Sequence, residues 1–206
     1  MKTIFIAGLL IITFVFASTL RAEDQPWQLR LKKDNITVYT RKVQGSAILE
    51  FKSNTVIPAP IDKAIALFED TERITQWYYQ CTHMELVQEE NPLQKIFYFV
   101  IRLPWPVAQR DSVFRRMKVV DQATGVISYE LTALPERLPK QKGKVRVPYL
   151  KTTWRFTPSK NGQTEIDFQQ HSDAGGSIPP MIANALVVDI PFHSLKKFRE
   201  LLQEHQ

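Results

Sequence analysis

One stretch constrains this chain more than any other: Asp173 to Leu202, DAGGSIPPMIANALVVDIPFHSLKKFRELL, close to its end. A Gly175-Gly176 turn and a Pro179-Pro180 start lead into Met181, Ile182, Ala185 and Leu186. These apolar positions recur at helical spacing and resume beyond Pro191 as Leu195, Phe198, Leu201 and Leu202. The pattern predicts one long amphipathic helix over residues 179–204. Pro191 removes a backbone donor and crowds the preceding turn, so a kink or break is expected near Val187 to Ile190. An apolar face this long must be covered by a comparably large apolar surface, and that requirement sets the rest of the fold.

The chain upstream supplies such a surface. Residues 23–31 are short and polar and read as a leader without an element of its own. Asn35 to Val43 and Ala47 to Val56 alternate around Gln44-Gly45-Ser46, which predicts a β-hairpin. Pro60 opens a helix in which Ile61, Ala64, Ile65 and Phe68 fall on one face, and a second helical piece, Thr71 to Tyr79, carries Trp77. From Met84 the pattern is that of strands for about ninety residues. Lys95 to Leu103 is continuously apolar, as in a strand covered on both faces, whereas Arg110 to Val120, Gly125 to Leu134, Lys144 to Phe156 and Thr164 to Gln170 follow as further strands. The expected class is α+β, a curved antiparallel sheet gripping the long terminal helix.

Residues 1–22 are expected to stand apart from that domain. Lys2 gives a positive start, Ile4 to Phe16 is apolar but for Gly8 and Thr13, and Ala17, Ser18 and Ala22 offer small residues for cleavage. The apolar run falls short of the roughly 20 residues a spanning helix needs, so a cleaved secretory signal is expected, with residues 23–206 as one domain in the periplasm or exterior. Removing the segment takes away Lys2 and Arg21 and lowers the formal net charge from +6 to +4. That charge suits mild attraction to an anionic surface without arguing for nucleic acid. Cys81 is the only cysteine, which excludes an intramolecular disulfide and a cysteine-based zinc site.

One interior stretch is irregular. Pro135 to Lys142, PERLPKQK, lies between two strands and carries Arg137, Lys140 and Lys142 around Leu138. It reads either as a solvated loop or as a loop that touches a membrane surface.

Four motifs in order resemble the StAR-related lipid-transfer (START) domains, and an exported, bacterial-type single-domain member in particular. They are Trp77 after a short helix, Arg110-Asp111 opening a strand, Lys142-Gly143-Lys144-Val145-Arg146-Val147 after the proline-bearing loop, and Gly175-Gly176-Ser177-Ile178-Pro179 before Asn184. The resemblance spans roughly Trp27 to Leu202. It implies a helix-grip fold enclosing an internal apolar tunnel, with the terminal helix and the loop of residues 135–143 at its mouth. START members often place an arginine on the strand that Arg-Asp opens, and Arg116 is the matching position. Some pair it with an acid on the preceding strand, but Lys95 to Leu103 holds no Asp or Glu. A buried arginine there needs a ligand oxygen, a carbonyl or water to offset its desolvation.

No catalytic set is expected. His171 and Asp173 share a face with Glu165, Asp167 and Gln169, which reads as surface. Asp111 reads as an ion-pair partner of Arg110, and Cys81 as a small buried residue. His83, His171, His193 and His205 lack metal-ligand spacing, and Pro179-Pro180 remove amide donors that an anion cradle would need. No cofactor is expected, and the dispersed basic residues give nucleic acid no stacking platform.

What remains is binding, and possible transfer, of a lipid or other hydrophobic small molecule by a monomer in transient contact with a membrane surface. The expected wall residues are Trp77, Tyr98, Phe114, Tyr129, Trp154 and Phe168, with Arg116 for a polar head. Ile182, Leu186 and Val187 would form a lid hinged at Gly175-Gly176 and Pro191. The same aromatic pattern fits an ordinary core. The alternatives are a cyclase or hydrolase of the same scaffold acting on a hydrophobic substrate, and a partner-binding module whose interior is filled by side chains.

Overall fold

The computed structural model describes residues 25–204. The expected signal segment therefore lies outside the described residues. One antiparallel sheet forms the body, in the order β1-β2-β3-β10-β9-β7-β6-β5-β4, with β8 pairing β6 in parallel. In chain order the elements are β1 (Gln28–Lys33), β2 (Ile36–Arg41), β3 (Glu50–Ile57), α1 (Ile61–Glu69), α2 (Ile74–Trp77), β4 (Cys81–Asn91), β5 (Gln94–Ile101), β6 (Gln109–Val120), β7 (Ile127–Ala133), β8 (Lys144–Arg146), β9 (Tyr149–Pro158), β10 (Thr164–Asp173) and α3 (Pro180–Gln203).

The sheet has an inner face that α3 covers and an outer face that is partly wet. Ile36, Val38, Phe156, Ile166 and Phe168 on the inner face are fully buried, as are Leu195 and Phe198 of α3. α3 lies against β2, β3, α1 and α2. The spacing of Ala64, Ile65 and Phe68 buries one face of α1, and α2 is a single turn that delivers Trp77 to the same core. Side-chain contacts hold α3 in place along its length: Asn184 Oδ1 accepts the Leu49 N–H at 3.1 Å, Ser194 Oγ accepts that of Tyr79 at 2.9 Å, and Lys196 and Arg199 donate to Asp34.

Three local expectations change. Residues 28–33 form the edge strand β1, mostly exposed, so the short alternation of Trp27, Leu29 and Leu31 reflects pairing with β2 and not burial of a face. The stretch 144–156 is two strands, because Pro148 has no N–H for a ladder and Val147 instead donates to Asp111 O at 2.9 Å. The terminal helix runs unbroken through Pro191. Ile190, Pro191 and Phe192 are all buried, so packing on both sides of the proline offsets the missing i→i−4 bond.

β5 is covered on both faces, as its unbroken apolar run predicts. Phe97 and Phe99 point inward, while Ile96, Tyr98 and Val100 join Val113 in a separate outer cluster roofed by Leu134 and Leu138. The loop of residues 135–142 thus lies flat on the outer face. Arg146 fastens it there, donating to the carbonyls of Pro135 (2.6 Å), Leu138 (2.9 Å) and Pro139 (3.1 Å).

Candidate functional site

Between the inner face of the sheet, α1, α2 and the first half of α3 lies a cavity of about 120 Å³ that opens to solvent at its mouth. Its roof is Ala183, Leu186, Val187 and Ile190, one helical face at i, i+3, i+4 and i+7. Its floor is aromatic. Tyr129, Trp154 and Phe168 sit side by side on β7, β9 and β10, and Phe68 covers them, 4.6 Å from the Tyr129 ring and 5.2 Å from Trp154. Trp154 stacks on Phe168 at 3.8 Å and meets Trp77 edge-on at 5.8 Å.

Polar groups interrupt this lining on the sheet side: Arg110, Ser112 and Arg116 on β6, Thr152 on β9, Gln170 and Ser172 on β10. Among the described residues no carboxylate lines the cavity. Arg116 is 7% exposed, and its guanidinium makes cation–π contacts with Phe97 at 4.4 Å, Tyr129 at 5.5 Å and Phe68 at 5.7 Å. It donates no hydrogen bond to any described residue. Burial lowers its pKa from the ordinary arginine value, opposed by the electrostatic pull of Tyr129 and Glu69.

Glu69, the last residue of α1, pairs with Lys118 and adds an electrostatic pull on Arg116 from outside β5. Its Oε1 accepts from Tyr129 Oη at 2.6 Å and from Lys118 Nζ at 3.0 Å. Burial would raise this carboxyl, but the two hydrogen bonds and the neighbouring Lys118 and Arg116 charges outweigh it and hold the pKa below the usual glutamate value. Glu69 and Lys118 are both part-exposed and neither lines the cavity, so the charged groups of the lining itself are Arg110 and Arg116.

Arg110 has a different role. Its guanidinium donates to Ala108 O at 2.6 Å, Ala174 O at 3.1 Å and Gly175 O at 3.0 Å, tying the β5–β6 loop to the turn before α3. Gly175 sits in the left-handed region at φ 65°, where a Cβ would fall 2.9 Å from Arg146 O. Its turn is thus packed and pinned rather than loose.

Trp77, Phe114, Arg116, Trp154, Leu186 and Val187 line the cavity. Three expected wall residues, Tyr98, Tyr129 and Phe168, and one expected lid residue, Ile182, do not. Tyr98 is on the outer face, because Phe97 pairs with Phe114 and so takes the inward parity, leaving Tyr98 beside Val113. There its buried hydroxyl is pushed up to about 12, chiefly by burial. Tyr129 and Phe168 flank Trp154 in the core behind the lining and do not themselves reach the cavity, and Ile182 is displaced from the roof by Ala183 one position on. Arg137, Leu138, Lys140 and Lys142 are not at the cavity at all: no residue of 135–143 lines it. Asp111 pairs with Arg146 rather than with Arg110, since adjacent residues of a strand point to opposite faces. Arg115, on the other parity from Arg116, faces outward near Glu90.

The residues that sequence reasoning missed are Phe51, Phe68, Tyr78 and Phe99 in the wall and the polar set Ser112, Thr152, Gln170 and Ser172. Strand parity from Phe114 and Trp154 carries the signal for Ser112 and Thr152. Nothing local points to Phe68, which reaches the site from α1.

A large antiparallel sheet holding one long C-terminal helix over an apolar cavity defines the helix-grip class of ligand-enclosing α+β folds. The chain belongs to the START domain family, whose profile matches residues 14–206. It is 35% identical over 191 residues to the uncharacterized protein PA1579 of Pseudomonas aeruginosa, covering 93% of each chain. The crystal structure of a STAR-related lipid transfer protein fragment from Xanthomonas axonopodis superposes with a TM-score of 0.79 at 33% identity, covering 86% of this chain and 98% of that one. The mouse phosphatidylcholine transfer protein is 23% identical over 162 residues, 77% of this chain and 75% of its own.

Proposed function

We propose that this chain is an exported, non-catalytic protein that holds a lipid or similar amphiphile in the cavity and exchanges it with a membrane as a monomer. The observation that carries the reading is Arg116: a buried guanidinium, facing an apolar cavity, with no hydrogen bond from the protein. Such a charge is costly unless something supplies acceptor oxygens, and a lining with Arg110 and Arg116 and no carboxylate suits an anionic group. Family members with lipid transfer in their names support the same reading.

Burial of the apolar part would provide the affinity, at roughly 0.8 kcal/mol per methylene, while Arg116 would fix the head. The enzyme alternative receives no such support: among the described lining residues there is no His, Cys, Asp or Glu to act as acid, base or nucleophile. A partner module with a filled interior would not leave this cavity.

Contact with the membrane is assigned to a different rim from the basic loop. Trp105, 92% exposed, projects from the β5–β6 loop two residues beyond Leu103 of the lining. Met181, 82% exposed, lies in the first turn of α3 two residues before Ala183 of the roof. Arg110 joins the two segments, so both apolar tips would enter a lipid surface together. Among the described residues no helix is long and apolar enough to cross a membrane.

Native mass spectrometry of the protein as purified, followed by solvent extraction, tests the reading. A bound amphiphile and uptake from vesicles are expected; lipid-free protein that takes up none would sink it.

A further inference from the structure

The cavity's polar groups are not scattered. Arg116 on β6 pairs with Leu131 on β7, Leu131 with Thr152 on β9, and Thr152 with Gln170 on β10, so the three polar residues lie in one row across the inner face. At about 4.8 Å per strand, the Thr152 backbone lies about 10 Å from that of Arg116, and Gln170 about 14 Å. The row stands next to the aromatic floor, where apolar side chains would pack without penalty. A Thr–Gln pair there, Thr152 buried and Gln170 half-buried, calls for an explanation.

The hydrogen bonds supply one. Thr152 is 2% exposed and its Oγ1 donates to Gln170 Oε1 at 3.0 Å. That bond occupies the amide oxygen and orients the amide, so Gln170 presents Nε2 as a donor, and Nε2 makes no hydrogen bond to a described residue. Ser172, two residues on and on the same face, lines the cavity with its hydroxyl likewise unengaged. The groups offered on this side are donors without charge, whereas the group on the other side is a cation. A plain alkyl anion would satisfy Arg116 and leave this side unmatched, at the cost of burying donors without acceptors.

We infer that Gln170, oriented by Thr152 and assisted by Ser172, forms a second polar subsite that accepts an uncharged oxygen, an ester carbonyl, of the same ligand whose anionic group meets Arg116. The cavity thereby selects acyl-ester anions over alkyl anions of equal length. This rests on the lipid-binding reading above, and it adds a ligand class to it.

The test compares two probes that differ in one carbonyl oxygen: 1-palmitoyl-glycerol-3-phosphate and its 1-hexadecyl ether analogue, titrated into the delipidated protein. The wild type is expected to bind the ester about tenfold more tightly, the worth of one buried hydrogen bond. Gln170→Leu should erase that preference by weakening the ester alone, the ether remaining within about twofold, and Thr152→Val should reduce it in part. Equal affinity of the wild type for the two probes overturns the subsite, and that comparison needs no variant to fold. A Gln170→Leu protein that weakens both probes alike also overturns it, because the side chain would then be serving the cavity's shape. Failure of the wild type to bind either probe, with no lipid in the purified protein, overturns the lipid-binding reading itself and the subsite with it.

Discussion

Asp111 and Arg146 form a buried ion pair: Arg146 Nη2 donates to Asp111 Oδ2 at 2.8 Å, with the two side chains 1% and 3% exposed respectively. They face each other across the only parallel pairing recorded among the described strands, β6 with β8. The same guanidinium holds three carbonyls of the 135–139 segment, so one residue joins the short strand β8, the long strand β6 and the loop.

Removing the acid leaves that guanidinium buried with only carbonyl dipoles around it. Asp111→Ala should destabilise the protein by about 3–5 kcal/mol, read from urea denaturation, and speed amide exchange in the 135–142 loop. A loss under about 1 kcal/mol, the scale of an exposed pair, would show that the pair does not anchor the loop.

Arg116 is expected to behave in the opposite way. It gives up no hydrogen bond to the protein, so Arg116→Leu should leave the urea midpoint unchanged or raise it, while affinity for an anionic amphiphile falls at least about tenfold. Unfolding of the variant, or undiminished affinity, would return Arg116 to a structural role.

The two exposed tips can be separated from the basic loop by exchange kinetics. Trp105→Ser with Met181→Ser should slow lipid exchange with vesicles by about tenfold or more, because two apolar side chains no longer enter the bilayer. Replacing Arg137, Lys140 and Lys142 by Ser should change exchange by less than about twofold, since that loop lies on the other face of the sheet. The reverse pattern would restore the loop as the membrane contact.

Glu69 sets an acid dependence. Its pKa is lowered in the folded protein, so its contribution to stability is complete above the unfolded value of 4.5 and is lost as pH falls through the lower folded value. Thermal melts of wild type and Glu69→Gln should differ at neutral pH, the variant being the less stable. The gap should close as pH drops below about 4.5. A pH-independent gap would assign the loss to packing instead of charge.

Much of the architecture is legible in residue order. The helical spacing from Met181 to Leu202, the alternation around Gln44-Gly45-Ser46 and the unbroken apolar run of β5 each report a local constraint, the burial of one face or of two, and the fold follows from covering them. Trp77, Phe114, Arg116, Trp154, Leu186 and Val187 are legible for the same reason. The assignments of Tyr98 and Ile182 depended on facts that the local pattern does not contain. A strand buried on both faces has no alternation to give its parity, so pairing of Phe97 with Phe114 settled the direction of Tyr98. On α3 the roof begins at Ala183 because the sheet beneath selects which face of the helix is inward.

The basic loop shows the same division at larger scale. Its charge and prolines are visible in the sequence, yet its place on the outer face is decided by Arg146 and by Leu138 against Ile96, Tyr98 and Val100. Glu69 meets Tyr129 60 positions away and Lys118 49 positions away. By itself the sequence determined the periodic elements, the long covering helix and the need for an apolar interior, because these follow from contacts within a few residues. Only the tertiary structure decided which side chains share the cavity, which cation Glu69 pairs with and which rim is exposed. Those are relations between distant segments, fixed by strand register and packing.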